Sequence, residues 1–159
     1  PAGTFTQVSI RGGRHICAIK ADGEMVCWGS SDGFQGGASP TAIVDGSYIF
    51  VTAGHYITCG ILEEGGSNCW GSNKYGQASP PSLDFTELHA ATVHTCGLTV
   101  EGALECWGSD SFDRCKHPDG LFNQLDVNQL HSCAVSVDGT IQCWGTDEFD
   151  KTVPASCAD

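Results

Sequence analysis

The sequence predicts an all-β protein made of four tandem units, each organised around a hairpin stapled by a disulfide. Three observations carry this. The ten cysteines include four pairs with nine residues between the members: Cys17/Cys27, Cys59/Cys69, Cys96/Cys106 and Cys133/Cys143. Each second cysteine is followed by Trp-Gly, at Trp28-Gly29, Trp70-Gly71, Trp107-Gly108 and Trp144-Gly145, which accounts for all 4 tryptophans of the chain. From Trp70 onward the motif recurs every 37 residues (Trp70, Trp107, Trp144), and self-similarity at such a period is the signature of repeat architectures.

Upstream of each pair stands an aromatic residue that opens a β-prone stretch: FTQV at Phe5, YIFV at Tyr48, FTEL at Phe85 and FNQL at Phe122. Downstream of each Trp-Gly comes a polar turn that carries an aromatic: Phe34, Tyr75, Phe112 and Phe149. The units therefore run over about 5–47, 48–84, 85–121 and 122–159 of one repeat domain, the first lengthened by an insertion in SSDGFQGGASPTAIVDG.

The spacing of ten follows from hairpin geometry. Midway between the cysteines lie Ala21-Asp22-Gly23, Glu63-Glu64-Gly65, Val100-Glu101-Gly102 and Val137-Asp138-Gly139. A three-residue hairpin loop is commonly a type I turn closed by a left-handed residue, a position that favours Gly. Counting outward from the loop sets residue 20 opposite 24, 19 opposite 25, 18 opposite 26, and Cys17 opposite Cys27. Directly opposed residues hold their Cβ atoms about 4.5–5.5 Å apart, slightly long for a disulfide but closable by twist. Four such staples are expected, each worth about 2.5–3 kcal/mol in the chain-entropy model. Structural zinc prefers two to four residues between paired cysteines, so this spacing argues against a metal; Cys-x-x-Cys redox pairs are absent. Cys115 and Cys157 remain, both in connectors. The even count favours a bridge between them within the chain over one between chains.

Both faces of the hairpin are apolar. Ile16, Ala18, Val26 and Trp28 lie on one side, and Cys17, Ile19, Met25 and Cys27 on the other. A sheet covered on both faces needs a neighbour on each side, which radially stacked blades or a linear solenoid provide.

GGRHICAIKADGEMVCWGS, HTCGLTVEGALECWGSDS and CWGSNKYGQ resemble the repeat of the regulator of chromosome condensation family, with its Gly-x-x-His-x-Cys, Asp-Gly, Trp-Gly and Asn-x-x-Gly-Gln elements in order. The cysteine-rich form is similar to extracellular members, among them plant receptor ectodomains and secreted bacterial propellers. The resemblance implies β-propeller blades, here as a small closed propeller or an open arc, since relatives usually have seven blades. It also implies protein binding. Nuclear members promote nucleotide exchange on a small GTPase, a role that fits poorly with this cysteine content and blade number.

Composition narrows the function. Seven Lys+Arg face 19 Asp+Glu, for a net charge of -12, which argues against nucleic acid and anionic membranes as partners. Ten cysteines with one Met point to an oxidising, extracellular setting. No run of apolar residues is long enough to span a membrane. No nucleophile elbow, phosphate loop or metalloprotease helix is present, so no enzyme and no cofactor is expected.

Candidate sites are few. His15, His94 and His131 each precede a first cysteine by two residues and could converge on a metal, but Ile57 fills the same place in the second unit, which favours packing within blades. The tryptophans fit blade-to-blade packing better than sugar stacking. The connector aromatics Phe34, Tyr75, Phe112 and Phe149 are better placed for a ligand or interface. The turn aspartates Asp22, Asp32, Asp45, Asp110, Asp113, Asp147 and Asp150 follow no calcium-loop pattern. Ser39-Pro40 and Ser79-Pro80-Pro81-Ser82 resemble O-glycosylated segments of extracellular proteins, although rigid turns are the commoner outcome of such runs. No Asn-x-Ser/Thr sequon occurs. The expected function is a secreted, non-catalytic protein-interaction or structural module that associates with itself as a homo-oligomer or extracellular polymer, because an open arc leaves blade faces and edges unpaired. A carbohydrate-binding lectin and an inhibitor of a secreted enzyme are the alternatives.

Overall fold

A computed structural model describes residues 2–11, 15–29 and 42–146. Among them, thirteen strands form four antiparallel meanders. The first sheet orders β1 (Phe5–Ser9), β2 (His15–Lys20), β3 (Met25–Gly29) and β4 (Ala42–Val44). The second holds β5 (Tyr48–Ala53), β6 (Ile57–Leu62) and β7 (Ser67–Gly71), and the third β8 (Phe85–Ala90), β9 (His94–Thr99) and β10 (Leu104–Gly108). The fourth holds β11 (Phe122–Val127), β12 (His131–Ser136) and β13 (Ile141–Gly145). Each sheet is one blade. The four blades stack face to face in an arc, and the sheets do not close into a ring. Strand β4 falls within the insertion of the first unit and pairs with β3.

The hairpin register is the one counted from the loop glycine. Ile19 faces Met25, Ala18 faces Val26 and Cys17 faces Cys27. In the same way Cys59 faces Cys69, Cys96 faces Cys106 and Cys133 faces Cys143. Gly23, Gly65, Gly102 and Gly139 close their loops at φ 85°, 95°, 86° and 87°. Disulfides join Cys17 to Cys27, Cys59 to Cys69, Cys96 to Cys106 and Cys133 to Cys143, each with a Cα–Cα distance of 4.1 Å. The pairs are tighter than the average opposed pair for a reason of parity. Antiparallel pairs alternate between wide, hydrogen-bonded and narrow, non-hydrogen-bonded types. Lys20 N bonds Glu24 O, and three steps outward Cys17/Cys27 falls on a narrow pair.

In the second and third staples the two cysteines are not equally covered. Cys17, Cys59 and Cys96 are fully buried, but Cys69 and Cys106 are only partly so, whereas Cys27 is 1% exposed. The strands explain the difference. Cys69 on β7 and Cys106 on β10 lie on the outer strands of three-stranded sheets, while β3 carries β4 on its outer edge, with Cys27 opposite Ala42. The acidic loop residue also has a local task. Asp22 Oδ1 accepts from Glu24 N at 3.1 Å, and Asp138 Oδ1 from Thr140 N at 3.0 Å. Hydrogen bonds from Ser136 and Thr140 hold the Asp138 pKa down to about 2.

One feature of every blade escapes a simple alternating pattern. The innermost strands β1, β5, β8 and β11 each carry a register shift one residue after the opening aromatic. A bulge of this kind moves the aromatic to the other face. Phe5 thereby shares a face with Val8, Tyr48 with Val51, Phe85 with Leu88 and Phe122 with Leu125. Beneath the ring the chain keeps a small residue: a Cβ on Gly97 would lie 2.4 Å from the Phe85 ring, and one on Gly60 2.7 Å from Tyr48.

The Trp-Gly glycines are required by space and by conformation together. Gly71, Gly108 and Gly145 adopt φ 107°, 109° and 102°. A Cβ there would meet the carbonyl oxygens of Tyr56, Val93 and Leu130 at 2.3, 2.6 and 2.5 Å. The following residue uses that same carbonyl, as in Ser72 N to Tyr56 O and Ser109 N to Val93 O. Substitution separates the two glycine roles. In urea melts Gly139→Ala, whose Cβ meets nothing within 4 Å, is expected to cost about 1 kcal/mol of backbone strain. Gly108→Ala must also displace the Val93 carbonyl and is expected to cost at least about twice as much.

Candidate interaction surfaces

Blades join by one repeated contact. The cysteine face of each blade packs on the tryptophan face of the next. Cys17, Ile19, Met25 and Cys27 form a core with Tyr48, Val51, Ala53 and Trp70. Ile57, Cys59 and Ile61 do so with Phe85, Leu88 and Ala90, and the half-buried Cys69 and Trp107 pack against this cluster. Cys96, Leu98 and Leu104 do so with Phe122, Leu125, Val127 and Trp144, with Cys106 packed alongside. The indole is also latched to the preceding connector: Trp107 Nε1 donates to Gln77 O and Trp144 Nε1 to Arg114 O, both at 2.9 Å. Gln77 and Arg114 occupy the same place in successive repeats, seven residues after Trp70 and Trp107. The tryptophans thus serve blade-to-blade packing.

Along the axis, side chains of one innermost strand satisfy the exposed edge of the next. Gln7 binds Val51 N and O at 2.8 and 3.2 Å, Ser9 Oγ accepts from Ala53 N at 2.9 Å, and Thr52 Oγ1 from Ala90 N at 3.4 Å. A groove of about 320 Å³ opens at this axis and is lined by Arg11, His55, Thr92, Asn128 and Gln129, from turns of all four blades. Beside it Arg11, from the first blade, pairs with Asp126 of the fourth. His89 lies 3.6 Å from Asp126 and 3.4 Å from Glu87. Burial and Arg11 lower the His89 pKa despite both carboxylates. Asp126 is pushed up by burial and pulled down further by Arg11, ending below the usual carboxylate range.

The histidines of the repeat are not brought together, and no group of three metal-ligating side chains exists among the described residues. His15 and His94 are buried, as is Ile57, which takes the same place. His15 Nε2 lies 2.7 Å from Thr58 Oγ1 of the next blade. Neither ring nitrogen of His94 has a hydrogen-bond partner among the described residues. Burial, aided by the Arg114 charge, lowers its pKa to about 4.

Of the connector aromatics, Tyr75 and Phe112 are exposed. Lys74 lies over the Tyr75 ring and Arg114 over that of Phe112. Phe34 and Phe149 lie outside the described residues, as do Ser39, Pro40 and Cys157. The connectors of the second and third units are built alike. Asn73 Oδ1 accepts from Ala78 N, and Asp110 Oδ1 from Cys115 N; Asp113 takes a positive φ of 58° where the second unit has Gly76 at 83°. Cys115 therefore fills the place of Ala78. It forms no disulfide with any described residue, and the bridge expected for it rests on Cys157. Its thiol points at Ser109 O, and burial with Asp110 nearby raises its pKa to about 11. Ser79 and Ser82 are exposed on either side of the half-buried Pro80 and Pro81, in a turn closed by Ser79 N to Gly76 O and Leu83 N to Pro81 O.

The surfaces that sequence reasoning did not assign to residues are the two ends of the arc. Val8 is 62% exposed, whereas Val51, Leu88 and Leu125 at the same place are 1%, 0% and 2% exposed. Ile10 is equally open, and Phe5 is only partly covered. At the other end Ile141 is 53% exposed, against 0% for Met25 and 4% for Leu104. His131, Cys133, Val135 and Cys143 are likewise less buried than their counterparts in the first blade. Among the described residues, the end that bears Val8 and Ile10 is thus the tryptophan face of the first blade, with Trp28 itself half-buried, and the end that bears Ile141 is the cysteine face of the fourth.

The family model of the regulator of chromosome condensation (RCC1) repeat matches residues 5–35 and 48–77. Each of the first two units thus carries an RCC1-type repeat. The third and fourth units repeat the same cysteines, glycines and tryptophans at the same positions. No curated protein matches the sequence. Among solved structures, the CRINKLY WD40 ectodomain of the Arabidopsis thaliana receptor kinase ACR4 is 25% identical at a TM-score of 0.74, covering 96% of this chain and 52% of that one. The ectodomain of the Physcomitrella patens receptor kinase CR4 is 24% identical at a TM-score of 0.74, covering 91% and 42%. Yeast RCC1 (Prp20), solved bound to Kap60, is 15% identical at a TM-score of 0.79, covering 92% and 45%. This chain spans about half the length of these propellers or less.

Burial within the blades generates two expectations. Exchange with a thiol requires access to sulfur. Both sulfurs of Cys17–Cys27 are buried, Cys59–Cys69 and Cys96–Cys106 each have one half-buried member, and Cys133 and Cys143 are both half-buried. Limited reduction of dilute protein followed by alkylation and mass mapping should label Cys133 and Cys143 first and Cys17 and Cys27 last; equal labelling of all four pairs would contradict the burial order. For His94 the folded chain refuses a proton that the unfolded chain accepts near pH 6.5. Its contribution is therefore present above pH 6.5 and lost as pH falls toward 4, by about 3 kcal/mol in total. His15, also lowered by burial, acts in the same direction. His94→Ile, which copies Ile57, should flatten the fall of melting temperature between pH 6.5 and 4.

Proposed function

We propose that this chain is a secreted, non-catalytic protein-interaction module that works in an oxidising extracellular environment and counts itself among its partners. The observation that carries the reading is the pair of uncovered blade faces at the ends of the arc. Exposed apolar residues in contiguous patches mark interaction sites, and here Val8, Ile10 and Ile141 are open at positions that the other blades bury. Four formed disulfides fit an oxidising compartment. So does the likeness to ectodomains of plant receptor kinases. A protein-binding role is supported by the similarity to yeast RCC1, which is solved in complex with another protein.

Sedimentation velocity over a range of concentrations tests this. The weight-average mass is expected to rise with concentration above the 16.7 kDa of one chain. A single species of monomer mass at every concentration would sink the self-association part of the reading.

A further inference from the structure

Building on the self-association just proposed, we infer that copies join head to tail: the cysteine face of the fourth blade of one chain receives the tryptophan face of the first blade of another. The occupant of each open face is named by the joints already present in the molecule. The same pair of surfaces meets three times within one chain, between blades one and two, two and three, and three and four. In each joint an aromatic, a branched aliphatic and a tryptophan from one blade cover a disulfide and two aliphatic residues of the blade before it. The first blade carries the covering set in Phe5, Val8 and Trp28. The fourth carries the covered set in the Cys133–Cys143 disulfide, Val135 and Ile141. Each end lacks what the other supplies.

The chemistry favours unlike faces over like ones. Two tryptophan faces brought together would oppose bulky rings without the flat disulfide floor that each ring rests on elsewhere. Two cysteine faces would leave floors without rings. Unlike faces reproduce a packing the sequence has already solved three times, so no new complementarity is needed. Such a contact is heterologous, and every open assembly keeps one free face of each kind until a ring closes. The similar propellers are about twice as long as this chain.

The test is complementation. Val8→Glu places a carboxylate on the tryptophan face and Ile141→Glu one on the cysteine face. Both residues are more than half exposed in the single chain, so each variant should fold, which circular dichroism and a melt matching the wild type would verify. Ile10→Glu is a second variant for the first face. Val100→Glu, at a hairpin loop away from both faces and 57% exposed, is the control. Burying an unpaired carboxylate in an apolar joint is costly. Each face variant alone should therefore sediment as a monomer, with self-association weakened at least about tenfold, while Val100→Glu behaves as wild type. A mixture of Val8→Glu and Ile141→Glu retains one intact face of each kind and should give heterodimers and nothing larger. Association should also slow the reduction of Cys133–Cys143, and Val8→Glu should abolish that protection.

The outcomes separate the two levels of the claim. If wild type associates but neither face variant weakens it, or only one does, the head-to-tail assignment is overturned and the self-association reading stands. Failure of the mixture to form heterodimers overturns it equally. A wild type that is monomeric throughout overturns both, and leaves the end faces to an unrelated partner.

Discussion

The structure depends on a narrow cross-strand pair that serves two neighbours at once. Within a blade the opposed cysteines fix the register of the hairpin, because a slip by one residue would exchange its faces. Between blades the same disulfide is the floor on which the next tryptophan rests. The rest follows from keeping that floor in place. The loop glycine closes the hairpin at the right residue, the Trp-Gly glycine lets the turn carbonyl approach, and the connector carbonyl of Gln77 or Arg114 receives the indole. Removing a staple would loosen a strand pair and a blade joint together, which couples local stability to the architecture.

Much of this was legible in the residue order. The distance of ten between cysteines, the position of Gly in each triplet and the recurrence of Trp-Gly determine strands, register and repeat number. The unequal cover of the two sulfurs was not legible, since Cys69 and Cys106 occupy the same place in the pattern as Cys27 and differ only in what flanks their strand. Nor was the face occupied by the opening aromatic, because Phe5 and Val8 stand three apart and alternation sends them to opposite faces. Only the bulge reunites them, and its signal is weak: an aromatic followed three residues later by an aliphatic in all four units. The small residue after each first cysteine (Ala18, Gly60, Gly97, Ala134) is the trace that the ring leaves on the neighbouring strand. The strand Ala42–Val44 inside the insertion was hidden by the turn-rich residues around it.

The candidate surfaces were legible only in part. That an open arc exposes faces follows from the repeat number, and the described connector aromatics are exposed as well. Tyr75 and Phe112 are each topped by a neighbouring cation and sit on separate connectors. The exposed residues at the ends look like core residues, since they are of the same apolar kinds as the buried ones. What distinguishes Val8 from Val51, or Ile141 from Leu104, is position at the end of a series rather than chemistry. A sequence pattern encodes the joint but not which of its residues stand exposed.

Nearly all contacts link a blade to its immediate neighbour, which makes the molecule quasi-one-dimensional. The ion pair between Arg11 and Asp126 is different, because it ties the first blade to the fourth across the axis. Pairs this exposed contribute little, about 0–1 kcal/mol, so its weight is not in holding the chain together. It acts as a gauge. Arg11 meets Asp126 only when two blades of standard thickness and tilt lie between them, and its neighbour His89 reads the same spacing from the third blade. An arc with one unit more or fewer between them would keep every neighbouring joint intact and still miss this contact. The pair thus keeps, at the axis, a record of how many blades lie between its two members.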